Sequence, residues 1–366
     1  MYLKRIAKFS RSVTKELLPS QQETLSYIVT GMVKNRSLIL AEIARGFETV
    51  VKFVHNLKRV FRYVDNERIS EHRSKEVVAA RVIHQLERRL QLKPRQSLEV
   101  ILDWTWVGPF LVLSALIGIG GRAVPVLQWV VAQGQLKSSQ NKIEEEFLRS
   151  LRRSIARARS VIIVADRGFG RTSLFEFLPT LNFHYVIRVK GDVWIECPGY
   201  QGLLKTYPLS QGQTFKLSSV LYNQRRRLPL KLALTCARIK GKLSSWLLAT
   251  DLPLSARQIV DIYRRRFWCE ESFRDQKQEF GLEGVRVTLA RRLENLLVAL
   301  AIVFLLVAVI GQRAEKLGYA DKFAGRKKRQ KTLSWLQLAL NLLRESSKYL
   351  NLLVDNSANC FSLHWV

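Results

Sequence analysis

Apolar positions change their spacing near residue 95. From residue 1 to about 95 they recur at helical intervals, with few β-branched runs, and Pro19 is the only proline before Pro94. Ser20 can cap a helix running to about Met32, and Ser37 a second through Gly46. A third fits residues 50–64, where Val54, Leu57, Phe61 and Val64 fall on one side and Lys58, Arg59 and Arg62 towards the other. After Pro94 and Ser97 the pattern turns to strands: Leu98–Val107, then 110–117, then 123–132 beyond a turn at Gly118, Gly120 and Gly121. Such short links imply consecutive antiparallel hairpins. Residues 141–159 are amphipathic, with Ile143, Phe147, Leu151 and Ile155 in phase. Val161–Ala165 is wholly apolar, as in the buried middle of a sheet. Residues 172–178 suit a short helix and 183–189 another strand.

That order, β-β-β-α-β-α-β, is the order of the RNase H-like fold. Residues 191 to about 250 interrupt it with Gly, Pro and alternating strands such as 228–237 and 246–250. A helix at 255–280 then returns to the core, and 293–310 packs against it. The last fifty residues begin with a basic cluster, Arg326, Lys327, Lys328, Arg329 and Lys331, in a loop, and end in helical patterns. The expected fold is α/β: an RNase H-like mixed sheet with an inserted β-rich subdomain, preceded by a helical N-terminal domain. The boundaries read as 1–95 for a helical DNA-binding domain, 96–190 and 247–315 for the two parts of the core, 191–246 for the insertion and 316–366 for a C-terminal helical region.

Charge narrows the partner. The 366 residues carry 60 Lys+Arg against 30 Asp+Glu, a formal net charge of +30, so the chain repels itself unless it meets a polyanion. Nucleic acid is the expected partner. The hydrophobic fraction of 47% supports a sizeable core. Residues 296–310 are fifteen apolar positions in a row, short of the ~18 to 20 that span a bilayer, and read as a buried helix rather than a membrane segment. Cys197, Cys236, Cys269 and Cys360 show no zinc-ligand spacing. They fit a reducing cytoplasm, and the first twenty residues lack the apolar run of a signal peptide.

The candidate chemistry lies in three carboxylates. Asp103 stands inside an apolar strand, where an ionised side chain is costly unless neutralised. Asp166 closes the fourth strand before a Gly-rich turn, at the end of the sheet where α/β sites gather. In the order above the first and fourth strands are neighbours, which would set the two aspartates side by side. In YRRRFWCEESFRDQK, residues 263–277, Tyr263, Arg266, Glu270 and Lys277 stand at offsets of zero, three, seven and fourteen. On one straight α-helix they share a stripe of roughly 60°, a carboxylate held among cations and a phenol. Glu270 would complete a triad. Three carboxylates raise one another's pKa, and two divalent ions, Mg2+ or Mn2+, would resolve the conflict and activate a water or 3′-hydroxyl. Arg264, Arg265 and Arg274 add cations suited to positioning phosphates.

The spacing Y-x2-R-x3-E-x6-K resembles the signature of bacterial insertion-sequence DDE transposases. Over roughly residues 20–310 the chain looks like insertion sequence family 4, in the subgroup with a β-strand insertion before the Glu helix. By that likeness Asp103, Asp166 and Glu270 match the DDE triad, and Tyr263, Arg266 and Lys277 match residues that contact DNA phosphates near the cleaved end. Trp246, in WLLATDLPLSARQIVDIY, matches an aromatic that stacks on a flipped base. One departure is that Phe267 follows the signature Arg, with Trp268 after it. The resemblance implies metal-dependent hydrolysis and strand transfer at the element's own terminal repeats and target DNA. It also implies a homodimer in the synaptic complex and a place on the bacterial nucleoid. Lys58, Arg59 and Arg62 are the expected DNA contacts of the N-terminal helices. A catalytically silent DNA-binding derivative, or an RNase H-like nuclease without strand transfer, are the alternatives.

Overall fold

The computed structural model describes residues 2–89, 91, 93, 96–132, 134, 140–239, 242–323 and 333–353. Six helices come first: α1 (Tyr2–Val13), α2 (Pro19–Asn35), α3 (Leu40–Arg45), α4 (Phe53–Val64), α5 (Glu67–Ser70) and α6 (His72–Arg89). Ser20 does not cap α2. Pro19 opens that helix, where its missing N–H costs nothing, and Ser20 falls inside the first turn. Ser37 supports α3 one step removed, its hydroxyl accepting the Ile39 N–H at 3.1 Å. α4 starts at Phe53, later than the periodicity suggests, and its buried side is Asn56, Val60, Tyr63 and Val64. Val54 and Phe61, on the apolar side of that periodicity, are 55% and 40% exposed.

The rest is built on one mixed sheet. Its strands are β1 (Leu98–Val107), β2 (Phe110–Ile119), β3 (Arg122–Ala132), β4 (Val161–Ala165), β5 (Phe183–Arg188), β6 (Trp194–Cys197), β7 (Tyr200–Leu203), β8 (Thr214–Tyr222), β9 (Leu228–Ile239) and β10 (Lys242–Thr250). They lie in the order β3-β2-β1-β4-β5-β10-β9-β8-β6-β7. The first three pair antiparallel, and β1, β4 and β5 pair parallel. The strands after residue 190 stay in this sheet, because β10 pairs antiparallel with β5 from Leu248↔Arg188 to Thr250↔Val186.

Period-two alternation sorts the apolar side chains to two faces. In β4, Val161, Ile163 and Ala165 join one cluster while Ile162 and Val164 join the other. Helices cover both faces, which explains why this strand is apolar throughout. On the first face lie α7 (Gln140–Ser154), α8 (Thr172–Thr180), α11 (Ala290–Lys316) and α12 (Trp335–Glu345), with the N-terminal helices packed into the same continuous cluster. On the second lie α9 (Ala256–Arg264) and α10 (Trp268–Gln278). α11 is long and apolar enough to cross a bilayer, yet 89% of its most apolar stretch is buried within the protein.

The C-terminal basic cluster and Cys360 lie outside the described residues. Cys197, Cys236 and Cys269 are free and buried.

Candidate active site

The parallel register of β1 and β4 runs from Leu98↔Val161 to Leu102↔Ala165. Asp103 and Asp166 are each the next residue along, Asp166 just past the carboxyl end of β4 and Asp103 level with it, midway along β1. Asp103 faces α9 and α10. Burial pushes its carboxyl above the usual range, Arg266 opposes that, and the nearby charge of Asp166 adds to the rise. Asp166 folds back on its own loop, its Oδ1 accepting the Gly168 N–H at 2.8 Å.

Glu270 arrives from the other side of the site. Ser255 caps α9 with a reciprocal pair: its hydroxyl accepts the Gln258 N–H, and the Gln258 Oε1 accepts the Ser255 N–H at 3.0 Å. The single helix expected over 255–280 is broken. α9 ends at Arg264, Arg265–Phe267 form a tighter 3-10 turn, and α10 starts at Trp268. A 3-10 turn advances ~120° per residue rather than ~100°, so the expected stripe is rotated apart. Tyr263 turns inward, 1% exposed, while the Glu270 side chain is 54% exposed.

Arg266 joins what the break separates. Its Nη2 donates to Asp103 Oδ2 at 2.8 Å and its Nη1 to Glu270 Oε1 at 2.7 Å. The Cys269 thiol donates to the same Asp103 oxygen at 3.1 Å. Burial alone would pull the Arg266 pKa down, but Asp103 and its neighbours outweigh it and the net shift is upward. One guanidinium therefore spans the carboxylate of the first strand and that of the helix.

The other cations of α9, the turn and α10 also have acidic partners. Arg265 grips Glu99 of β1 through two nitrogens, at 2.6 and 2.5 Å. Arg264 pairs with Asp261 at 2.8 Å, Arg274 with Glu271, and Lys277 with Glu283 at 2.9 Å. Trp246, expected to stack on a base, is 8% exposed and packs against Tyr263 and Phe267 at ring-centroid distances of 5.2 and 5.6 Å. Its ring is part of the core that holds α9, with little surface free for a base. In the N-terminal helices Lys58 and Arg62 are exposed, whereas Arg59 lies over the Tyr27 ring at 4.8 Å.

Two supports escaped the sequence reading. Glu99 shares the Asp103 face of β1 by period-two spacing, the one available hint of its pairing with Arg265. Behind the site Glu144 of α7, 1% exposed, accepts the Trp104 Nε1–H at 2.9 Å, the Gln140 amide at 3.0 Å and the Arg171 guanidinium. It ties the strand of Asp103 to the loop that follows Asp166. An acid one position from the apolar stripe of residues 141–159 was the only signal for it.

Among the described residues no group of three or more His, Cys, Asp or Glu is closed up enough to hold a metal ion. The donor set nevertheless fits Mg2+ or Mn2+: two aspartates at the same level of adjacent strands, a glutamate one guanidinium away, all hard oxygen ligands. A cleft of about 640 Å3 lined by Tyr185, Ser218, Lys231 and Asp251 contains none of these residues.

Residues 117–306 match the family model described as Transposase DDE domain. The chain belongs to the DDE transposases. The match takes in Asp166, Trp246, Tyr263, Arg266, Glu270 and Lys277 and begins after Asp103. No curated protein matches the chain. DNA is accordingly the partner of this transposase, and such domains generally act with divalent metal.

Proposed function

We propose that this transposase cuts and rejoins the ends of its own insertion sequence, as a member of insertion sequence family 4 with an RNase H-like core. In this reading residues 1–95 hold the terminal repeats, 96–190 and 247–315 form the catalytic core around the 191–246 insertion, and 316–366 form a helical C-terminal region. Two protomers bring two ends together in the bacterial cytoplasm, on the nucleoid. The observation that carries the proposal is the Arg266 bridge, with 2.8 Å to Asp103 and 2.7 Å to Glu270. It brings carboxylates 167 positions apart in the chain to one cation beside Asp166.

Asp103, Asp166 and Glu270 would hold the divalent ions, Mg2+ or Mn2+, which when bound supply Lewis acidity to the attacking and leaving oxygens. In the first step a water oxygen attacks the phosphorus at the element's end. The 3′-oxygen leaves as a hydroxyl and the 5′-phosphate stays on the flank. In the second step that 3′-hydroxyl attacks a target phosphodiester and displaces the target's own 3′-oxygen. With metal held by the carboxylates, Arg266 would be free to meet a phosphate of the bound strand, with Lys277 steadying the same segment; Tyr263, buried at 1% exposure, would support them from within the core.

Glu270→Gln tests this. Cleavage of end-containing duplex in Mg2+ should fall by at least a thousandfold, since an essential charge is lost, while DNA binding stays within about twofold. Cleavage near the wild-type rate would remove Glu270 from the triad. Wild-type protein that binds and never cuts would instead identify a silent DNA-binding derivative, and cutting without strand transfer a nuclease.

A further inference from the structure

Eleven large hydrophobic side chains are exposed among the described residues, and six of them, Ile39, Val50, Val51, Phe53, Val54 and Phe61, fall within residues 39–61. A monomeric soluble protein seldom gathers apolar surface in this way without a use for it. On α4, Val54, Lys58, Phe61 and Arg62 stand at i, i+4, i+7 and i+8, so the outward face is an apolar row edged by cations. No acidic residue occurs from Lys52 to Val64. Asp65, the first acid after the helix, is taken up by Arg292 through two contacts of 2.7 and 3.0 Å. The opposite face of α4 is fixed. The Tyr63 hydroxyl donates to the Asn295 carbonyl at 2.7 Å, and the Asn295 amide donates to the carbonyls of Tyr63, Val64 and Asn66.

We propose that α4 is the helix that reads the element's end, lying in the DNA major groove with Val54 and Phe61 against base edges. A helix of ~10–12 Å diameter fits a groove ~12 Å wide. Thymine presents there a methyl group that an aliphatic side chain contacts and water does not, so an apolar row reads sequence while its flanking cations only position. Lys58 and Arg62, on one side of that row, meet phosphates along one edge of the groove. An acid-free apolar face suits a polyanion with methyl-bearing edges better than another copy of this basic chain, which it would repel. The proposal rests on DNA recognition by residues 1–95 and adds which surface performs it.

The test uses the full chain and fluorescence anisotropy on two duplexes: the DNA flanking its own gene, and a scrambled duplex of equal composition. Val54→Ser should lose about tenfold in affinity for the first and nothing for the second. Replacing thymine by deoxyuridine in the flanking duplex should weaken the wild type and leave Val54→Ser unchanged. Lys58→Ala and Arg62→Ala should weaken both duplexes alike, each lowering the salt slope by about one. Val54→Thr serves if the serine variant melts early. Equal losses on the two duplexes, no response to deoxyuridine, or a wild type that prefers neither duplex would overturn the assignment. So would sedimentation showing that Val54→Ser abolishes a dimer, because a second copy would then cover this face. Failure of Glu270→Gln to stop cleavage would leave these binding ratios untouched, so the two proposals fall separately.

Discussion

The guanidinium of Arg266 divides its two terminal nitrogens between Asp103 and Glu270, so a cation of the protein itself stands between those carboxylates. The carboxylates were legible in the sequence because an acid inside an apolar strand, or at the carboxyl end of one, is conspicuous. Their partners were not. Charge on a helix reads as free cations, yet Arg264 and Arg274 are matched to acids one turn away on their own helices, and Arg265, Arg266 and Lys277 to acids whose position depends on tertiary folding. Asp275 shows the same balance further along α10. It is 4% exposed, burial raises its pKa to about 6, and Arg122 at 2.7 Å only partly offsets that. Between its unfolded value near 3.8 and about 6, the folded chain keeps a proton that the unfolded chain has released. Stability therefore falls as pH rises through that window and is flat above it, by on the order of 2–3 kcal/mol. Asp275→Asn should remove that slope from the urea midpoint measured between pH 4 and about 7; an unchanged slope would place the titration elsewhere.

At the scale of elements, the strands were the most legible part. β1 and β4 fall where the pattern puts them, and β2, β3 and β5 differ from it by one or two residues at an end. Period-two alternation between two covered faces leaves few other readings. Helix faces were less legible. Val54, Leu57 and Phe61 repeat at core spacing, and only packing against α11 shows that α4 turns Val60 and Tyr63 inward instead. The break at Arg265–Phe267 was also invisible, since neither Gly nor Pro marks it. α10 is held after that break on β3, where Ser272 donates to the Ala123 carbonyl and Arg122 pairs with Asp275, and on β2. A Cβ on Gly118 would lie 2.6 Å from the Trp268 ring, so only glycine lets the helix approach so closely. Gly118→Ala should cost about 2 kcal/mol and, by pushing Trp268 and its neighbour Glu270 outward, slow cleavage more than binding. Trp268→Ala in the same chain should restore the melting temperature. If Gly118→Ala melts like the wild type, the contact is looser than described.

For the whole molecule, charge identified a polyanion partner but not how the reading and cutting parts are joined. Composition could not show that the N-terminal helices share one hydrophobic cluster with the sheet and α11. Nor could it show that Asn295, in the second turn of α11, closes the carbonyl end of α4. Asn295→Ala would take one donor from each of three carbonyls, of which Tyr63 and Asn66 keep a backbone N–H, and should destabilise the protein by on the order of 2 kcal/mol. Hydrogen exchange should speed up over residues 60–70 while β1, β4 and β5 stay protected; uniform acceleration would mean that the joint is not local. The join also makes the protein a ruler. In the proposed function, where α4 grasps the element's end and the carboxylates cut it, the shared cluster makes the distance from the sequence grasped to the bond broken a dimension of the folded body. A base pair added between them, about 3.4 Å along the axis, should leave the cut at its fixed distance from the grasped sequence and off the element's true end. Loosening the joint at Asn295 should blur that mark into several neighbouring positions.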